Sequence, residues 1–75
     1  MQNLSRITFD PQVMGGKPCI RGMRVTVGTI VGLVASGKTV DEVLADYPYL
    51  EREDILEALS YAAYRAEERE VPLDS

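Results

Sequence analysis

Apolar and polar positions follow three different rhythms along this chain. Arg6-Ile7-Thr8-Phe9 alternates polar and apolar side chains, the period of a half-buried strand, and Asp10-Pro11 ends it. Arg24-Val25-Thr26-Val27 alternates in the same way and is the expected pairing partner. From Val27 to Ser36 the run VGTIVGLVAS puts Val27, Ile30, Val31 and Val34 on one helical face, with Gly37 as a natural stop. Thr39-Val40-Asp41-Glu42 has the form of a capping box and opens a short helix from Val40 to Asp46, with Val40, Val43 and Leu44 inward; Tyr47-Pro48 ends it. A third helix is predicted from Arg52 to Glu68. Its apolar stripe is Ile55, Leu56, Leu59, Ala62, Ala63 and Ala66, and Glu51, Glu53 and Asp54 sit at its positive end. The expected architecture is mainly α: a trihelical unit of the helix-turn-helix kind after two short N-terminal β-strands. It is one domain over 1–75 with an ordered core over about 6–68, and residues 71–75, which carry no periodicity, form a loose tail.

Length sharpens this picture. A chain of 75 residues buries only about 60% of the surface it exposes when unfolded, so self-association is the expected supplement to a small core. The first helix points to where. No Lys, Arg, Asp or Glu occurs from Val25 to Gly37, and a helix apolar all round must be covered all round. Ile30, Leu33 and Val34 are the candidate homodimer contacts; the alternative is a central core helix with two tolerated glycines, Gly28 and Gly32. One cysteine and no histidine allow no internal disulfide and no protein metal site, and no cofactor is expected. MQNLSRITFD lacks the order of a signal peptide and no apolar run approaches the roughly 20 residues that cross a bilayer, so a cytoplasmic location is expected, with no membrane partner.

The net charge of −4 hides an asymmetry. Residues 1–40 hold five cations against Asp10 alone, giving +4; residues 41–75 hold three arginines against eleven acids, giving −8. The two halves therefore face different partners, or each other. The positive charge and the turn formers concentrate in GGKPCIRGMR, residues 15–24. Gly16-Lys17-Pro18 lacks the spacing and the hydroxyl of a nucleotide-hydrolysing phosphate loop. Cys19 has no histidine to activate it and reads as core. Two readings remain: a structural turn with solvated basic residues, or an anion-contacting loop in which glycines at positive φ bring the backbone close while Lys17, Arg21 and Arg24 supply charge. By contrast, the start of the third helix carries Glu51, Arg52, Glu53, Asp54 and Glu57, which repel phosphates and make it a poor recognition helix.

Phe9-Asp10-Pro11, Gly16-Lys17-Pro18-Cys19-Ile20-Arg21-Gly22, Arg24-Val25, Asp41-Glu42, Tyr47-Pro48 and Asp54-Ile55 together resemble the family called domain of unknown function 433, over about residues 6–67. The resemblance implies a three-helix, homeodomain-like domain. It also implies an antitoxin of the VapB type, encoded beside a PIN-like ribonuclease toxin that it neutralises, and repressing its own promoter; no catalytic residues come with it. On that reading the basic half touches DNA through Lys17, Arg21 and Arg24, and the acidic half meets the toxin through Tyr61, Tyr64, Glu67 and Glu68, aromatic side chains being favoured interface anchors. The alternative is a small dimeric protein-interaction module that never touches nucleic acid. An enzyme with a small-molecule substrate is not expected, because only surface carboxylates could serve as its acid or base.

Overall fold

The computed structural model describes residues 4–68, with the Glu68 side chain outside the described part, as is the tail over 71–75. Two short strands, β1 (Ile7–Thr8) and β2 (Cys19–Ile20), precede three helices: α1 (Val27–Ala35), α2 (Val40–Asp46) and α3 (Arg52–Glu68). The protein is thus mainly helical, with one antiparallel two-stranded sheet in which Ile7 faces Ile20 and Thr8 faces Cys19.

The second strand differs from the sequence expectation. It is Cys19–Ile20, inside the glycine-rich loop, and Arg24–Val27 contributes only a single bridge from Thr26 back to Cys19. Thr26 is also the N-cap of α1, its hydroxyl accepting the Thr29 N–H at 3.1 Å. A residue that caps a helix cannot extend a strand beyond itself, and the helix begins there. The three helices otherwise start and stop close to where their caps predict. Ser36 closes α1 and Gly37 follows at φ +107°, a conformation that costs a residue with a Cβ. Thr39 and Glu42 form both halves of the capping box of α2, Glu42 N–H to Thr39 Oγ1 at 3.1 Å and Thr39 N–H to Glu42 Oε1 at 2.8 Å.

The core gathers Ile7 and Ile20 from the sheet, Val25, Val27 and Ile30 around the start of α1, Val43 from α2, and Leu50, Ile55 and Ala58 from the turn into α3 and its first half. Val40 and Leu44 pack on it half-buried, as their spacing predicts. Cys19 is core, as expected. The phase of α3, however, is rotated from the predicted stripe. Leu56 is 47% exposed and Ala63 and Ala66 are exposed, while Asp54 and Ala58 are fully buried. An ionisable residue is the least expected occupant of a buried helical position.

Gly32 lies on the exposed side of α1, with helical φ and nothing within 4 Å of the Cβ it lacks. Gly32→Ala is expected to stabilise the isolated chain by about 0.5–1 kcal/mol, read as a higher urea midpoint. A lower midpoint would mean that another molecule packs closely there.

Candidate functional site

The basic loop and the acidic helix turn out to face each other. Asp54, with no exposed surface, is the meeting point. Arg21 grips its carboxylate in two places, Nε to Oδ1 at 3.0 Å and Nη2 to Oδ2 at 2.8 Å, and Arg6 Nη1 donates to Oδ1 at 2.8 Å. The Glu51 N–H donates to Oδ2 at 2.8 Å, so Asp54 reaches back over the first turn of α3 and makes the N3 half of a capping box. Arg6 continues outward, donating Nη1 to Glu51 Oε1 at 2.7 Å and its backbone N–H to Glu57 Oε1 at 3.0 Å. Every hydrogen-bonding need of the buried carboxylate is met, and no buried side-chain polar atom among the described residues is left without a partner.

These contacts set the ionisation. Burial by itself would push the Asp54 carboxyl up; the bonds from Arg21, from the Glu51 N–H and from Arg6 outweigh it and hold the pKa at about 2. The Arg6 guanidinium is held charged, first by Glu51 and then by Asp54, and that of Arg21 by Asp54.

The loop is shaped to deliver Arg21. Arg21 stands at φ +46°, in the left-handed region that disfavours a side chain with a Cβ, and Gly22 follows at φ +74°. This reversal lets the Arg21 N–H bond the Arg6 carbonyl at 2.8 Å and the Gly22 N–H bond Thr8 Oγ1 at 2.8 Å, which seats the loop on β1. Gly15 and Gly16 also take the positive φ expected of them. Arg21 Nη2 then bonds the Tyr49 carbonyl at 3.1 Å, fixing the turn between α2 and α3.

The predicted site residues therefore separate. Of Lys17, Arg21 and Arg24, Arg21 is turned inward to Asp54, while Lys17 and Arg24 are exposed and make no ion pair among the described residues. Tyr61 is half-buried with its ring 5.9 Å from that of Phe9, and Tyr64 is 45% exposed. Glu67 is exposed, whereas the Glu68 side chain lies outside the described residues. Ile30 is fully buried in the chain's own core, which turns it away from the dimer contact drawn for it; Leu33 and Val34 are half-buried. Asp54 and Arg6, the centre of the arrangement, were not among the candidates. Besides its part in the family resemblance, the local signal pointing to Asp54 is its place, three residues after a helix-preceding position that holds no Ser, Thr, Asp or Asn.

Residues 7–62 match the family described as "Protein of unknown function (DUF433)". This chain belongs to the DUF433 family. It is 39% identical over 56 residues to the uncharacterized protein y4eO of Sinorhizobium fredii (strain NBRC 101917 / NGR234), a match that covers 75% of this chain and 25% of that protein. It also superposes on the crystal structure of a DUF433 member from Anabaena variabilis ATCC 29413 with a TM-score of 0.77 and 36% identity, over 84% of this chain and 62% of the other. The chain thus spans a quarter of the length of the first relative and less than two thirds of the second. The DUF433 match takes in β1, the loop, Asp54 and Tyr61, and stops before Tyr64 and Glu67. No described helix is long and apolar enough to cross a membrane.

Proposed function

We propose that this DUF433 chain is a non-catalytic binding protein of the antitoxin type, which covers a basic RNA-binding groove of a small PIN-like nuclease with the outer face of α3. The observation that carries the reading is that face itself. Leu56 and Tyr64 are 47% and 45% exposed there, among the exposed carboxylates of Glu53 and Glu67. Large side chains about half exposed within an acidic field fit a cationic protein partner: the acids steer the encounter and the large side chains hold it. Arg6 and Arg21 are engaged elsewhere, on Asp54, and Arg52 is held by Asp41 at 2.7 Å.

On the same reading α2, the turn and α3 form a helix-turn-helix, yet promoter binding draws on Lys17 and Arg24 alone, because Arg21 is held by Asp54. Two phosphate contacts are few for a DNA-binding surface, and Glu51 and Glu53 flank the first residue of α3. Protein binding is therefore the primary function proposed.

Binding kinetics with the purified product of an adjacent nuclease gene test it. Tyr64→Ala should speed dissociation about ten-fold, and Glu67→Arg should slow association in a manner that added salt removes. Unmodified rates for both variants would mean that α3 does not face the partner.

A further inference from the structure

A shallow groove lies beside the loop, and no residue of α3 lines it. Gly22, Met23, Arg24 and Val25 form one wall and Tyr49 the other. The walls are tied together from behind by the Arg21 bond to the Tyr49 carbonyl, so the groove does not depend on an occupant for its shape. Tyr49 is 56% exposed and is braced edge-on by Tyr47, with ring centroids 6.1 Å apart at 87°. Met23 is half-buried and packs against the core.

The polar character of the groove is one-sided. Arg24 is exposed and has no ion pair among the described residues, whereas Arg6, Arg21, Lys38 and Arg52 do. Its backbone is idle too. Val25 accepts the Ile20 N–H at 2.9 Å and the Met23 N–H bonds the Ile20 carbonyl at 2.8 Å, but neither the N–H nor the carbonyl of Arg24 is used among the described residues. An unpaired main-chain donor and acceptor beside a sheet is what an incoming extended strand completes.

From the exposed ring of Tyr49, the half-buried Met23, the lone cation and the idle backbone, we propose that this groove binds an extended peptide segment of a partner protein. The segment places a carboxylate on the Arg24 guanidinium, pairs its main chain with that of Arg24, and lays an apolar side chain between Met23 and Tyr49. Charge complementarity selects the occupant. A single guanidinium matches one carboxylate, whereas a nucleic-acid strand brings a phosphate at every step toward a chain of net charge −4.

The test is a nuclear magnetic resonance titration of the labelled full chain with a short capped peptide of alternating leucine and aspartate. The same peptide with asparagine for aspartate and a short thymidine oligonucleotide are the other arms. Saturable amide shifts at Met23, Arg24, Val25 and Tyr49 are expected with the aspartate peptide, with binding about five-fold weaker for the asparagine peptide, the scale of an exposed ion pair. In Arg24→Gln, an exposed change that leaves the core alone, that preference should vanish. No saturable shift with the aspartate peptide, shifts confined to α3, or equal affinity for the two peptides would overturn the proposal. Shifts at these amides with the oligonucleotide alone would overturn it in favour of a nucleic-acid groove. None of these results depends on whether α3 binds a nuclease.

Discussion

Asp54→Ala should be among the most damaging single changes in this chain, lowering stability by about 3–4 kcal/mol. Removing the carboxylate strands two guanidinium groups and the Glu51 N–H that now bond it at 2.8–3.0 Å. Breaking a buried pair by deleting one partner typically costs about 3–5 kcal/mol, because the remaining charge is left uncompensated. The lower part of that range applies, since the Arg6 and Arg21 side chains keep 27% and 37% of their exposure and recover some hydration. A domain of this size has roughly 4–11 kcal/mol to lose. Asp54→Asn keeps the shape and part of the hydrogen bonding and should fall between the two. Urea unfolding decides the matter: a loss below about 1 kcal/mol for Asp54→Ala would show that the loop and α3 are held by packing instead.

Acid should undo the same contact without mutation. The folded-state pKa of Asp54 is depressed from 3.8 to about 2, so its contribution is complete above about pH 4 and is lost as the pH falls through 2. The difference corresponds to about 2 kcal/mol. Because the folded form binds the proton less readily than the unfolded one, stability must fall, and not rise, across this window. Other carboxylates titrate there as well. The diagnostic is therefore the comparison between the unmodified protein and Asp54→Asn at pH 5 and pH 2: the two should converge by about 2 kcal/mol. Parallel curves would assign the acid sensitivity to other groups.

The role of Asp54 also explains why the basic loop is as it is. Positive φ at Arg21 and Gly22, the bond from Gly22 to Thr8, and the bond from Arg21 to the Tyr49 carbonyl all serve to bring one guanidinium onto one buried carboxylate. The open alternative in the charge pattern, halves that face different partners or each other, resolves for Arg6 and Arg21 in favour of each other. Lys17 and Arg24 remain outside that pairing, and Arg24 is the cation of the proposed peptide groove.

Local signals carried the helices. Thr39 with Glu42, Gly37 at the end of α1 and Pro48 after α2 each act on backbone groups within a turn or so, and an interaction that short in range is legible from neighbouring letters alone. The same holds for the core identity of Cys19 and for the positive φ of the loop glycines. The second strand was another matter. Arg24–Val27 alternates as a strand should, while Cys19–Ile20 is buried on both residues and shows no alternation. What pairs Ile20 with Ile7 is the reversal at Arg21 and Gly22, which only the folded loop reveals. The phase of α3 was hidden for a related reason. By hydropathy Leu56 belongs inside and Asp54 outside, and a single-sequence stripe can rank only the transfer of each side chain from water. Asp54 goes inside because two arginines from 33 and 48 residues earlier arrive to meet it, and the helix turns with it, leaving Leu56 exposed. The sequence by itself thus determined where the helices begin and end, since caps and breakers act locally. Which of its charges are buried, paired or left free for a partner was decided only by the tertiary structure, because the cost of burying a charge depends on who else reaches the same place.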